Sequence, residues 1–377
     1  MCIMYTFPVY YLSIHDNPMA LFEGLFGKKN ETFLGVDIGS SSIKAVQLSM
    51  QKGVVTLDTF GEIALGPYGG KEIGQAVKLE QGKIAEALLD LMKEAQIDSR
   101  SAGLSIPLKS SLVFNMKMPE VDKKQMDEMV RLEARRYIPV PISEVSLDWS
   151  IIPDGHEFEE KDDQGRKFLN ILVVAIHKET LSKYKGVSDL AKLDLQFLEI
   201  ETFSTIRSVV DSDKESVVVL DIGASVTKLY VVEYGVIQKS HIIGVGSQNM
   251  LKALETQRRL SNINQELNAG QGDALTKQMT EQKITPVDLD RILNETKKVV
   301  LEYQKDHQKN IELAILTGGG SILKGVLPYV QKSLETEIEL AHPFEKTRTP
   351  AFLENTLRDA GPEFSVAIGL ALRGLRM

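Results

Sequence analysis

The sequence predicts an α/β protein built from two related lobes, with a small α+β subdomain inserted in the first. Three observations predict it. One strand–turn–strand unit occurs twice: Leu34–Val46 reads LGVDIGSSSIKAV and Val219–Val231 reads VLDIGASVTKLYV, and such duplication implies two related halves. Strand-like apolar runs then alternate with segments of helical periodicity along most of the 377 residues. Finally, a helix-and-strand block at about 118–167 interrupts that alternation. The expected division is an extension at 1–30, a first lobe at 31–212 and a second lobe at 213–377. Within the second lobe, about 247–310 reads as helical, and the closing helix is expected to pack back toward the first lobe.

The elements follow in order. Met1–Pro18 is apolar and aromatic but lacks a basic leader or a cleavage site, so Met19 is the expected natural start. Next, Leu21, Phe22, Leu25 and Phe26 share one helical face ahead of Lys28 and Lys29, as in a docking arm or a membrane-surface contact. Thr32–Val46 reads strand, turn, strand; Val54–Ile63 adds a strand, Lys83–Ala95 a helix, and Ala102–Met118 two strands parted by Pro107–Ser110. Val121–Tyr137 is an amphipathic helix, with Met126, Met129 and Val130 on its apolar side and Arg131, Arg135 and Arg136 near its end. The prolines of Ile138-Pro139-Val140-Pro141 stop it. Strands at Val145–Ile152 and Phe168–Ile176 flank a polar loop, and Trp149 reads as a subdomain core residue. A helix at His177–Leu193, a strand at Gln196–Ile200 and a helix at Thr202–Val210 complete the first lobe. After the second hairpin come helices at Ser247–Leu260, 263–281 and Pro286–His307, a strand at Glu312–Leu316, and helices at Ile322–Leu334 and Glu363–Leu375.

Composition narrows the function. There are 52 acidic against 44 basic residues, a net charge of −8, which disfavours sequence-independent nucleic-acid binding. One cysteine excludes a disulfide framework and a cysteine-rich zinc site, and 6 histidines without paired spacing disfavour a histidine-based metal site. No apolar run is long enough to span a bilayer.

The repeated turn carries the chemistry. Gly39 and Gly223 let the backbone approach a ligand closely. Ser40, Ser41 and Ser42 in one copy, and Ala224, Ser225 and Thr227 in the other, offer hydroxyl and N–H donors of the kind that cradle phosphate oxygens. Asp37 and Asp221 are carboxylates at strand ends, suited to a hard cation held partly through water. Lys44 and Lys228 add positive charge, or one of them faces solvent. A third segment, Ala314–Val326 (AILTGGGSILKGV), runs from a strand into Gly318, Gly319 and Gly320, with Leu323 beyond them in a helix that opens at Ser321; a helix N-terminus favours anionic groups. Neither a dinucleotide G-x-G-x-x-G nor a P-loop motif is present.

These residues resemble the actin/Hsp70/sugar-kinase superfamily. Asp37–Lys44 is similar to its first phosphate motif, Asp221–Lys228 to its second, and Leu316–Lys324 to its adenosine motif. Val173–His177 (VVAIH) and Val366–Gly374 (VAIGLALRG) are similar to its two connecting segments. Within the superfamily the chain is most similar to the PilM family of type IV pilus assembly proteins, in the FtsA/PilM branch. The carriers are LFGKK, LGVDIGSSSIKAVQL, EARRYIPVPISEV and the closing VAIGLALRG. The resemblance implies the actin-like, ribonuclease H-like fold, ATP with Mg²⁺ in an interlobe cleft, and a groove for the cytoplasmic N-terminal peptide of a PilN-like membrane protein. It further implies a cytoplasmic protein recruited to the inner face of the membrane among other pilus assembly proteins, with self-association left open. FtsA-like tethering of a division machine is the rival within the fold; the FtsA-type linker and amphipathic helix do not follow Leu375-Arg376-Met377. Slow hydrolysis is expected over fast turnover. His177, at the strand-to-helix junction, and Glu179 are the candidates to orient a water. No residue marks a small-molecule acceptor, so a kinase reading ranks behind.

Overall fold

The computed structural model describes residues 32–152, 167–211, 214–250, 287–334 and 336–377. The helices expected within 251–286, the arm at 19–29 and the loop at 153–166 lie outside the described residues.

The first lobe is built on β1 (Thr32–Ile38), β2 (Ser42–Gln51), β3 (Val54–Ala64), β4 (Ser101–Ile106) and β8 (Asp194–Ile200), in the order β3-β2-β1-β4-β8. The first three form an antiparallel meander; β4 and β8 join in parallel. The second lobe repeats this with β9 (Ser216–Ile222), β10 (Thr227–Glu233), β11 (Val236–Ile243), β12 (Leu313–Thr317) and β13 (Glu337–Leu340), in the order β11-β10-β9-β12-β13. Again three antiparallel strands are followed by two parallel ones. The hairpin repeat seen in sequence is therefore the visible part of a duplicated five-strand sheet. Every residue of β9 is buried, as expected for a strand covered on both faces.

Between β4 and β8 the chain forms a separate sheet, β5 (Ser111–Pro119), β6 (Val145–Ile152) and β7 (Phe168–His177), antiparallel in the order β5-β7-β6. The sheet runs from Ser111 to His177 and so extends beyond the expected block 118–167 at both ends. Helix α2 (Lys123–Ala134) covers it, burying Met126 and Val130 against Ile171 and Val173, with Met129 and Trp149 packed alongside. The indole Nε1 donates to Asp127 at 2.9 Å.

Helices α1 (Gln81–Glu94) and α3 (Lys178–Leu190) pack in one apolar cluster with the first sheet. Two further helices lie at the centre of the molecule. Ile206 of α4 (Glu201–Val209) belongs to a cluster holding Leu104 of the first lobe and Val217, Val219 and Tyr230 of the second. The helix α8 (Ser365–Gly374), buried at every position, packs on Phe33, Val46 and Phe197 of the first lobe. In the second lobe, α5 (Val287–His307) and α6 (Val326–Ser333) share a core with β9, β10 and β12. A short α7 (Glu354–Ala360) leads into α8. The sequence pattern placed a helix from Ile322; the helix begins at Val326, because Gly325 takes a left-handed φ of 92° that ends one turn and starts another.

A candidate nucleotide cleft between the lobes

The two hairpins meet in space. In the first, Asp37 pairs across the strands with Lys44 and Ile38 with Ile43; in the second, Asp221 pairs with Lys228 and Ile222 with Thr227. Each turn is closed by its glycine: Gly39 N–H donates to Ser42 O and Gly223 N–H to Val226 O, both at 3.0 Å. The backbone N–H groups of Ser40, Ser41, Ala224 and Ser225 have no protein acceptor among the described residues. The tips touch across the lobes, Ser40 Oγ lying 3.1 Å from Ser225 Oγ. Both face one cavity of about 690 Å³.

Asp37, Gly39, Ser40, Ser41, Ser42, Lys44, Asp221, Gly223, Ala224, Ser225, Lys228, Gly318, Gly319 and Leu323 all line this cavity. Gly318 must be glycine: its φ is +80° and a side chain would overlap the Asp221 carboxylate. Thr227 and Gly320 stand behind the wall. Thr227 Oγ1 donates to Val245 O at 2.9 Å, and Gly320 N–H donates to Ile222 O at 2.8 Å. The anion-favouring helix end expected at Ser321 is displaced, since α6 opens at Val326, six residues beyond the last of the three glycines.

Glu179 lines the cavity mouth, but His177 does not. It is exposed, at the end of β7 in the subdomain sheet. The junction that points from the first lobe's central sheet into the cavity is Ile200–Glu201, where β8 ends and α4 begins. Glu201 is the residue that sequence reasoning missed. Its Oε1 accepts the Leu108 N–H at 2.8 Å, and its Oε2 lies 2.6 Å from Lys228 Nζ of the opposite lobe. The signal was present, a glutamate directly after a strand and before a helix, but VVAIH offered the same local pattern.

Charge in the cavity is unevenly matched. Lys228 Nζ also reaches Asp221 at 2.7 Å. Burial alone would discharge this lysine, but Asp221 and Glu201 hold its pKa well above the ordinary value. Lys44 is engaged by Glu62 and by the Ser42 hydroxyl, both at 2.8 Å. Among the described residues Asp37 makes no ion pair with a lysine; its Oδ1 accepts the Ser105 hydroxyl at 2.7 Å. Burial, with Glu201 adding, pushes the Asp37 carboxyl up to about 6, against the pull of Lys228, Ser105 and Lys44. Beside Gly319, burial and the neighbouring Glu62 raise Glu363; for Glu62 burial is outweighed by Lys44, which holds it low.

The family model for the type IV pilus assembly protein PilM matches residues 35–375. The chain belongs to the PilM family. That match separates it from the FtsA alternative that the sequence left open. The structure of a PilM–PilN type IV pilus biogenesis complex is similar, with a TM-score of 0.72 and 23% identity over 92% of this chain and 99% of that one. Ethanolamine utilization protein EutJ from Carboxydothermus hydrogenoformans (TM-score 0.46, 14% identity, 90% and 89% coverage) shows a more distant likeness. So does the cytoplasmic domain of EpsL of the Vibrio cholerae type II secretion system (TM-score 0.44, 10% identity, 91% and 95% coverage). The fold is the actin-like one, and as a PilM-family member the chain is an actin-like component of type IV pilus assembly. Among the described residues no helix is long and apolar enough to cross a membrane.

Proposed function

We propose that this PilM-family protein is a nucleotide-gated adaptor. It binds ATP with Mg²⁺ in the interlobe cavity and captures the N-terminal peptide of a PilN-like membrane protein at the inner face of the cytoplasmic membrane. The observation that carries the nucleotide reading is the meeting of two Asp–Gly hairpins, one from each lobe, at 3.1 Å over a shared cavity. Four turn N–H groups without acceptors suit phosphate oxygens. Asp37, a buried carboxylate that makes no ion pair among the described residues, suits a divalent cation held through water. In this reading Gly39–Ser42 and Gly223–Ser225 hold the phosphates, Asp37 and Asp221 the metal, and Gly318, Gly319 and Leu323 the adenosine end. When bound, Mg²⁺ neutralises phosphate charge. Glu201, not His177, is the group placed to orient a water, and its engagement by Lys228 and the Leu108 N–H fits slow hydrolysis at most.

Titration calorimetry with ATP and Mg²⁺ tests this. Asp37→Ala and Asp221→Ala should each weaken binding tenfold or more, roughly the 1–3 kcal/mol attached to a charged contact. Equal affinity in both variants and the parent would refute the site. The adaptor half predicts that a synthetic PilN-like N-terminal peptide binds the full chain with negligible ATP turnover; rapid steady-state turnover would favour an enzyme instead.

A further inference from the structure

Among the described residues, Lys228 is the cavity side chain that forms ion pairs with both lobes. It belongs to β10 of the second lobe, where it pairs with Asp221, and it reaches 2.6 Å to Glu201 at the start of α4. Two weaker contacts cross the cavity near it: the Ser40–Ser225 hydroxyl pair at 3.1 Å and the Gln248 Nε2 donation to Gly74 O at 3.1 Å. The matching lysine of the first hairpin behaves differently. Lys44 spends its charge within its own lobe, on Glu62 and Ser42. The duplication thus gave two equivalent lysines, and only the second pairs with a carboxylate of the opposite lobe.

We propose that Lys228 is an interlobe latch, holding the two lobes in a fixed setting through Glu201 until an anionic ligand with its divalent cation competes for it. This rests on the nucleotide reading above for the identity of the releasing ligand. Two groups at the latch, Lys228 and Asp221, are ones the ligand also needs. Triphosphate oxygens attract the ammonium, and a cation near Asp221 replaces the charge that Lys228 supplies there. Freed of Lys228, the Glu201 carboxylate keeps, among the described residues, its bond from the Leu108 N–H, a contact within the first lobe. The lobes then remain joined by the apolar packing around α4 and by uncharged hydrogen bonds such as Ser40–Ser225, Gln248–Gly74 and Asn115–Ile237, which tolerate small sliding better than a buried ion pair does. A ligand can shift such an equilibrium only by its differential affinity for the two states. Competition for one ammonium supplies that difference without any contact to the hinge.

The test is a distance measurement on the full chain. Cys2 is replaced by serine, and spin labels are placed by Lys93→Cys on α1 and Lys298→Cys on α5, both exposed positions. Without nucleotide, the parent should give one narrow distance distribution, and ATP with Mg²⁺ should shift or broaden it. Glu201→Gln and Lys228→Met should each show the altered distribution with no nucleotide added. Glu201→Gln is the conservative arm: it removes the first-lobe charge but leaves the Lys228–Asp221 pair intact, so it can be read even if Lys228→Met fails to fold. If Glu201→Gln reproduces the parent's nucleotide-free distribution, the latch is wrong. If the variants open but ATP binds the parent without moving it, the competition is wrong. If calorimetry shows no ATP binding to the parent at all, the nucleotide reading fails, and the variant distances alone still decide whether the latch exists.

Discussion

Glu199 is almost fully enclosed, yet it is held charged by two arginines. Arg207 reaches it at 2.7 and 2.8 Å, Arg373 at 2.7 Å, and the Ser204 hydroxyl donates to it at 2.5 Å. Burial would raise this carboxyl, but Arg207 and Arg373 outweigh it and hold the group at about 2, well below the ordinary glutamate value. A depressed carboxylate stabilises the fold above its unfolded pKa and loses that contribution as pH falls through the folded one. The difference corresponds to about 3 kcal/mol, present at pH 5 and above and lost between about pH 4.5 and 2. Urea unfolding should show Glu199→Gln less stable than the parent by about that amount at neutral pH, with the gap closing as the pH is lowered through that window. A gap that stays constant to pH 2 would mean the loss comes from packing and not from charge. The arginines come from α4 and α8, so this one residue fastens the two central helices to β8, a role that no local sequence pattern marks.

At the scale of elements, α8 depends on the absence of side chains. A Cβ on Gly35 of β1 would overlap the Ala367 carbonyl, and one on Gly369 would overlap the Ser204 carbonyl of α4. The helix can therefore lie directly against a strand and a second helix. Gly369→Val should cost several kcal/mol, in the range of the largest core substitutions, and lower the midpoint of thermal unfolding; an exposed change such as Lys52→Ala should do almost nothing. A Gly369→Val midpoint equal to the parent's would show that the backbone moves apart freely. The close approach explains why VAIGLALRG was legible as a closing helix: small residues on an apolar helix leave few other uses. The two hairpins were equally legible, because Asp-Ile-Gly followed by hydroxyl residues and lysine recurs nearly unchanged. Other elements were not. Strands β11 and β13 are sheet edges, one with polar residues at its centre and one only four residues long, so neither shows clean alternation. Both His177 and Glu201 follow a strand and open a helix, so local pattern does not bring Glu201 forward; what separates them is membership of β7 in the subdomain sheet and of β8 in the lobe's central sheet, and pairing between distant strands leaves no trace in local periodicity.

At the scale of the whole molecule, gating requires that the cavity and the inserted subdomain sense each other. The described residues contain a seam that joins them. Ile152 and Leu172 of the subdomain pack with Val236 of β11, with Val113 and Phe203 alongside, and Asn115 Nδ2 donates to Ile237 O at 3.1 Å. The subdomain thus rests on the edge of the second lobe while growing from the first, so a change in lobe angle must strain or shift that seam. If the PilN-like peptide binds a groove of the first lobe and this subdomain, its affinity should depend on the nucleotide. Linkage then demands a reciprocal effect: the factor by which ATP changes peptide affinity equals the factor by which peptide changes ATP affinity, typically about 5-fold or more where coupling is real. Four titrations on the full chain measure both ratios. Asn115→Ala together with Val236→Ala, which touch neither the cavity wall nor its charges, should pull both ratios toward one while leaving each single affinity near the parent's. Ratios of one in the parent would leave a scaffold whose nucleotide has no say in partner capture. Ratios well above one that survive the double change would place the coupling elsewhere, through α4 and the Lys228–Glu201 contact instead of the seam.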